Sequence, residues 1–196
     1  MSHYFTNEPV KNSKDYEFSH TFLGVTLTFK STSGVFSKNH FDTGSSVMLN
    51  FLPVLKDEIV LDMGSGIGSL GLSIAKKYPH TKVYLREIND KANSMAKTNI
   101  KLNGIHNAYL VSEEEVKRMS FDLVVFNPPI HLGKDNYYKM FRDLMLLLKP
   151  SGKIITVLKT VHGAKSFFKY WEPNIEKVGH KKGFYVFKLQ RGEQIC

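Results

Sequence analysis

The sequence predicts an α/β protein in which a mostly parallel sheet carries helices on both faces and follows a small N-terminal β-hairpin. Short apolar segments alternate with helical segments from Glu58 onward, which is the pattern of a parallel sheet. Polar residues stand at or just after the ends of three apolar segments, at Asp62, Glu87 and Asn127. The 196 residues, 42% of them hydrophobic, suffice for one core.

The elements follow in order along the chain. Residues 16–30 alternate loosely between apolar and polar side chains around Gly24, which predicts a hairpin or two short strands. The strands of the sheet are predicted at 59–61, 83–85, 109–111, 123–126, 154–158 and 184–189. Helices are predicted over 67–78, from a cap at Asn89 or Asp90 to about 103, over 137–148 and over 164–171. Residues 150–152 are predicted as a turn.

The glycine cluster Gly64, Gly66 and Gly68 follows the first strand of the sheet and opens a helix. Its spacing is G-x-G-x-G, and the third glycine of the dinucleotide fingerprint would fall at Ser69. Asp62 precedes the cluster, and a carboxylate there repels a pyrophosphate but suits a cationic ligand. S-adenosylmethionine, with its sulfonium and ammonium groups, is such a ligand. The alternative is a tight strand-to-helix turn that binds nothing.

Glu87 and Asn127 are expected beside this turn. Ligands of such sheets bind beyond the carboxyl ends of the strands, so the side chains at these ends should share one crevice with Asp62. A carboxylate at Glu87 can accept the ribose hydroxyls of a nucleoside. An exposed loop acid without a ligand is the alternative for Glu87.

Asn127-Pro128-Pro129-Ile130 follows an apolar strand and is the candidate catalytic segment. An exocyclic base amine is a poor nucleophile because its lone pair delocalises into the ring. Two acceptors, the Asn127 side-chain oxygen and the Pro128 carbonyl, can hold both N–H groups and stabilise the charge that develops on nitrogen. This chemistry requires neither a metal nor a covalent nucleophile. A simple turn is the alternative.

Composition limits the remaining classes. The formal charge of +9 and a pI of about 9.5 favour a polyanionic partner without identifying it. One cysteine, Cys196, excludes an internal disulfide and a Cys-rich zinc site. The first residues lack the apolar core of a signal peptide, and no apolar run is long enough to span a bilayer. We therefore expect a cytoplasmic protein without membrane or metal partners.

The residues together resemble the class I S-adenosylmethionine-dependent methyltransferases, and more closely the small-subunit rRNA guanine-N2 methyltransferase family RsmC in a short single-domain form. The resemblance covers nearly the whole chain. The segments that carry it, besides the glycine cluster, are His3-Tyr4-Phe5, Glu8-Pro9, Gly34-Val35-Phe36-Ser37, Phe41-Asp42-Thr43-Gly44-Ser45, Glu87-Ile88-Asn89, Leu102-Asn103-Gly104, Asn127-Pro128-Pro129-Ile130-His131 and Gly183-Phe184-Tyr185-Val186-Phe187-Lys188.

The resemblance implies a Rossmann-like sheet of seven strands with a reversed final strand, and S-adenosylmethionine as the cofactor. It implies an N-terminal β extension with a pocket-bordering segment at 1–45 and a methyltransferase domain at 46–196. The implied cofactor residues are Asp62, Gly64, Ser65, Gly66, Glu87, Ile88, Asn127, Thr43 and Ser45, with Ser112 or Glu113 facing the adenine. The target base is expected at Asn127, Pro128, Pro129 and Ile130, with Phe36 and His131 as substrate contacts.

The resemblance further implies transfer of a methyl group to guanine N2 of small-subunit rRNA, free or within the 30S subunit. Adenine N6 or a protein glutamine amide are alternative acceptors, and a non-catalytic RNA-binding assembly factor is the alternative outside enzymes. His131 is either a phosphate or proton-transfer contact or a loop histidine without a chemical role. Both a monomer and a homodimer remain open.

Overall fold

The computed structural model describes residues 14–129, 133–161 and 163–191. The strands are β1 (Asp15–Phe22), β2 (Val25–Thr32), β3 (Ile59–Met63), β4 (Lys82–Arg86), β5 (Ala108–Leu110), β6 (Phe121–Phe126), β7 (Leu148–Lys159), β8 (Ile175–Lys181) and β9 (Phe184–Gln190). The helices are α1 (Thr43–Leu49), α2 (Ser69–Lys77), α3 (Asp90–Leu102), α4 (Glu113–Val116), α5 (Lys134–Leu146) and α6 (Ala164–Trp171).

Seven strands form one sheet in the order β5-β4-β3-β6-β7-β9-β8, and β1 pairs with β2 as a separate antiparallel hairpin. Strands β3 to β7 run parallel, whereas β9 is antiparallel to both β7 and β8. The predicted fold class is confirmed, including the reversed final strand. The apolar pattern alone did not predict β8, because this edge strand carries only Ile175 and Val178 as apolar residues.

The predicted turn at residues 150–152 is wrong, because these residues belong to β7. The register of β7 against β6 shifts there: Phe121 pairs with Leu148, whereas Leu123 pairs with Lys153. An advance of two residues along β6 therefore corresponds to five residues along β7. The Pro-Ser-Gly sequence forms an irregularity of the bulge type within β7 and does not end the strand. The fifth strand consequently begins at Leu148 and helix α5 ends at Leu146.

Two apolar clusters cover the two faces of the sheet. One joins side chains of the hairpin, α1, α2 and α3 to alternate sheet residues such as Val60 and Leu123. The other joins α5 and α6 to the intervening residues Leu61 and Val124. Alternate residues of a strand point to opposite faces, so both faces of these central strands are buried.

Two asparagines about one helical turn apart, Asn99 on α3 and Asn103 at its C-cap, hold the hairpin. Asn99 accepts a hydrogen bond from the Lys30 N–H (2.8 Å) and donates to the carbonyls of Lys30 and Ile67 (3.0 Å each). Asn103 accepts from the Thr28 N–H (3.0 Å) and donates to the Thr28 carbonyl (2.8 Å). The two side-chain amides thus satisfy the backbone groups that β2 turns away from β1.

The division of the chain at 45/46 stays a prediction, and helix α1 runs across that boundary. His3-Tyr4-Phe5 and Glu8-Pro9 lie outside the described residues. Among the helices of the described ranges, none combines the length and the apolarity that crossing a bilayer requires.

Candidate functional site

A cavity of about 790 Å³ lies at the carboxyl ends of β3, β4 and β6. Asp62, Glu87 and Asn127 all line it, so the three strand ends do share one hollow. The other residues expected from the sequence that line it are Phe36, Thr43, Ser45, Gly64, Ser65, Gly66, Ile88, Pro128 and Pro129. Its volume is typical of sites for ligands of nucleoside size.

Ser112 and Glu113, the two candidates for the adenine contact, are not among the described residues that line the cavity. The Ser112 side chain caps α4 in a reciprocal capping box with Glu115. Glu113 forms an ion pair with Arg86 (3.2 Å), and Arg86 lines the cavity in its place. The adenine assignment stays a prediction. Ile130 and His131 lie outside the described residues.

The glycine loop has the geometry of a ligand cradle. Gly64 and Gly66 have φ of +68° and +56°, a conformation that costs side-chain-bearing residues about 1–2 kcal/mol. A Cβ at either position would meet no protein atom within 4 Å. Because both residues line the cavity, such an atom would occupy space that the protein leaves to a ligand. The loop therefore fits the close approach of a cofactor.

Glu87, directly after β4, connects the glycine loop to the end of that strand. Its carboxylate accepts hydrogen bonds from the backbone N–H groups of Gly66, Ile88 and Asn89, each at 2.8 Å. An ionised carboxylate offers about four acceptor positions, so one remains for a ribose hydroxyl while all three bonds persist. Holding both hydroxyls requires the exchange of one backbone bond.

Asp62 is the buried acid of the site, and the residue is only 2% exposed. One carboxylate oxygen accepts the Gly71 N–H at 2.8 Å, in the first turn of α2. Desolvation raises the pKa of Asp62 to about 7, opposed by the Gly71 N–H and reinforced by the negative charge of Glu87. A cation in the cavity would favour the ionised form, so the acid pair Asp62 and Glu87 fits the charge of S-adenosylmethionine.

Asn127 is fixed by two acceptors that come from a distant part of the chain. Its Nδ2 donates to Asp42 Oδ2 at 2.7 Å and to Ser45 Oγ at 2.9 Å. A carboxylate accepts hydrogen bonds but cannot donate them, so the amide nitrogen must face Asp42. Both N–H groups of the amide are therefore engaged, and Oδ1 is the atom left for the cavity.

Helix α1 brings these acceptors to the site. Asp42 is its N-cap and accepts the Ser45 N–H at 2.7 Å. Between them stands Gly44, where a Cβ would lie 3.3 Å from both Val157 and Phe184 of the sheet. The absence of a side chain at Gly44 lets α1 approach β7 and β9 closely, beside the end of β6.

Sequence reasoning did not assign a role to Asp42, nor did it predict α1. The available signal was the Asp-x-Gly-Ser sequence at 42–45, which combines an N-cap residue with a small residue two positions later. Nothing in that local sequence indicates that its partner stands 85 residues further on.

The mouth of the cavity is basic and apolar, in contrast to its acidic interior. Lys159 and Lys182 line it and are exposed, and the Lys159 ammonium lies 5.7 Å from the centre of the Phe184 ring. Phe36 is 56% exposed, although its ring is large and apolar. Cations and an open aromatic face suit a phosphate-bearing, base-bearing acceptor.

No cluster of three or more His, Cys, Asp or Glu side chains with the arrangement of a metal site occurs within the described ranges.

Known proteins resemble the chain in sequence and in fold. Residues 26–188 match the family described as methyltransferase small domain. The uncharacterized protein YbxB of Bacillus subtilis is 29% identical, over 96% of this chain and 98% of that protein. Ribosomal RNA small subunit methyltransferase C of Photobacterium profundum is 34% identical over 76% of this chain, which corresponds to 43% of that protein.

Among solved structures, the 16S rRNA N2 G1207 methyltransferase RsmC of T. thermophilus, in complex with AdoMet and guanosine, superposes with a TM-score of 0.80 at 22% identity. The match covers 94% of this chain and 52% of that one. The chain thus spans about half the length of the methyltransferase C proteins that it matches. The sequence-based recognition is confirmed: this chain belongs to the methyltransferase small domain family, with the RsmC-like fold of the class I methyltransferases that use S-adenosylmethionine as cofactor.

Proposed function

We propose that this protein transfers a methyl group from S-adenosylmethionine to guanine N2 of small-subunit rRNA. The observation that carries the proposal is the single cavity in which the acids Asp62 and Glu87 and the fixed amide of Asn127 meet. S-adenosylmethionine would supply an electrophilic methyl group on a positively charged sulfur. Asp62, Glu87 and the glycine loop are the residues that would hold it.

The acceptor side follows from Asn127 and Pro128. The Asn127 Oδ1 accepts one N–H of the amine, and the Pro128 carbonyl accepts the other. These bonds orient the nitrogen lone pair and stabilise the positive charge that grows on nitrogen during transfer. The proton on the nitrogen then leaves to solvent or to a neighbouring base. Pro128 is buried, so the backbone at this acceptor is rigid.

The nature of the acceptor is supported by the charge distribution. Lys159 and Lys182 stand at the mouth, where phosphates on either side of a target nucleotide would pass. The relatives named ribosomal RNA small subunit methyltransferase C and the RsmC structure with guanosine point to the same class of acceptor. A cytoplasmic location remains part of this proposal.

The test uses the full chain, labelled S-adenosylmethionine and three acceptors prepared from cells that lack the protein: free rRNA, 30S subunits and ribosomal proteins. Nucleosides from the labelled RNA are identified by mass spectrometry, with Asn127→Ala as the inactive control. We expect N2-methylguanosine in the rRNA. Label in N6-methyladenosine or on protein alone would overturn the assignment of the acceptor. Absence of label, together with absence of S-adenosylmethionine binding by calorimetry, would favour a non-catalytic assembly factor.

A further inference from the structure

Asp42 lines the cavity beside Asn127. It occupies a place between the cap of α1 and the Asn127 amide. The same oxygen, Oδ2, accepts the Ser45 N–H and the Asn127 Nδ2, both at 2.7 Å. A cap needs only the first of these bonds, so the second calls for a separate explanation.

We infer that Asp42, with Ser45, is a positioning residue that locks the Asn127 amide with its oxygen toward the acceptor amine and increases the negative charge on that oxygen. This inference rests on the proposed function. An amide that is free to turn would present its NH2 group to the amine for part of the time, where it would repel the N–H groups it must bind. Two acceptors on Nδ2 exclude that orientation.

The charge of Asp42 adds to the geometry. Hydrogen bonds to an ionised acceptor are roughly twice as strong as those between neutral groups. A neutral acceptor on Nδ2 would polarise the amide about as much as a water molecule does. A carboxylate at 2.7 Å instead stabilises positive charge on nitrogen and leaves the oxygen more negative. A more negative oxygen binds the amine more strongly as the amine becomes positive in the transition state.

A reciprocal exchange separates this role from that of a helix cap. In Asn127→Asp, two carboxylates face each other at positions 42 and 127, and we expect methyl transfer to fall by about 10²-fold or more. In the double variant Asp42→Asn and Asn127→Asp, the new amide donates to one carboxylate oxygen and the other faces the cavity. We expect the double variant to regain at least about tenfold over Asn127→Asp in kcat.

The single variant Asp42→Asn keeps a good N-cap and an acceptor but loses the charge. We expect kcat to fall about tenfold while the Kd for S-adenosylmethionine, the KM for RNA and the melting temperature change little. Asp143→Asn, which removes an exposed carboxylate charge on α5 that pairs with Lys139 outside the cavity, is the matched control and should leave kcat unchanged. A double variant no more active than Asn127→Asp, or full activity in Asp42→Asn, would overturn the inference.

A second measurement does not depend on activity. Side-chain NMR of the full chain should show slow exchange of the Asn127 Nδ2 protons with solvent. This solvent exchange should be at least about tenfold faster in Asp42→Ser, which preserves the cap. Equal exchange in both proteins would refute the lock even where no acceptor is methylated. If the wild type methylates a different amine, the proposed acceptor is refuted. The kcat comparison of the Asp42 and Asn127 variants is then made with that amine as substrate.

Discussion

The proposed cofactor end and the proposed acceptor end of the cavity are built in different ways. At the cofactor end, carboxylates are held by backbone N–H groups that lie near them in the chain: Asp62 binds Gly71, and Glu87 binds Gly66. At the acceptor end, the Asn127 side chain is held by side chains 82 and 85 residues away. The proposed cofactor end is therefore built within residues 62–87, whereas the proposed acceptor end is set only when α1 has packed on the sheet.

This difference predicts that changes at the acceptor end affect turnover and changes at the cofactor end affect donor affinity. The largest expected effect is that of Asn127→Ala. Loss of the oxygen removes an acceptor that acts in the transition state, so methyl transfer should fall by roughly 10²–10³-fold. Single-turnover kinetics measures this, with donor affinity by calorimetry expected to survive. Full activity in Asn127→Ala would end the proposed mechanism.

Glu87→Gln should disturb the cofactor end. The glutamine NH2 would face at least one of the three backbone N–H groups that the carboxylate now accepts, at a cost of about 1–3 kcal/mol. We expect the Kd for S-adenosylmethionine to rise about tenfold or more, with a smaller change in kcat at saturating donor. Glu114→Gln on the exposed side of α4 is the control. Equal affinity in the two variants would contradict the role of Glu87.

Asp62 makes donor binding depend on pH. With a pKa of about 7 in the free protein, its ionised fraction falls as the pH drops from 8 to 6. If only the ionised form binds the cationic donor, affinity should fall about tenfold over this range. Calorimetry at several pH values measures this, and Asp62→Asn should bind more weakly at pH 8 and lose the dependence. A wild-type donor affinity that does not change between pH 6 and pH 8 would contradict this prediction.

The same acid should lower the stability of the free protein. Because burial raises its pKa, the folded state binds more protons than the unfolded state between about pH 4 and pH 7. The contribution of Asp62 to the free energy of unfolding therefore falls as the pH rises through this window. We expect Asp62→Asn to raise the melting temperature at pH 8 although it weakens donor binding. A lower melting temperature at pH 8 would show that the ionised acid is compensated by contacts other than the Gly71 N–H.

The smallest expected effect concerns the rim. Lys182→Gln should weaken RNA binding uniformly across sequences and reduce the slope of log K against log salt by about one. Lys97→Gln, on the exposed face of α3, should leave the slope unchanged. Filter binding at four salt concentrations measures this slope for each variant. Identical slopes for the two variants would place the phosphate path elsewhere.

The contrast between the two ends also explains what the sequence predicted. The glycine loop, Glu87 and the Asn-Pro-Pro segment are visible because each is a short stretch whose local chemistry is unusual. Helix α1 was not predicted because it has only seven residues. Its packing depends on contacts of Gly44 with strands more than a hundred residues away. The position of Asp42 beside Asn127 follows from that packing. The edge strand β8 lacks the apolar pattern of the interior strands because only one side of it is paired.

Asn99 on α3 and Asn103 at its C-cap have a consequence for shortened versions of this protein. Asn99 is fully buried and bridges the hairpin to the Ile67 carbonyl at the end of the glycine loop. A shortened chain without β1 and β2 would leave the amides of Asn99 and Asn103 without their partners on β2 and would uncover the apolar cluster against which Leu27 and Phe29 pack. The N-terminal hairpin therefore belongs to the same packed unit as the sheet, and we expect a fragment without it to be less stable than the full chain.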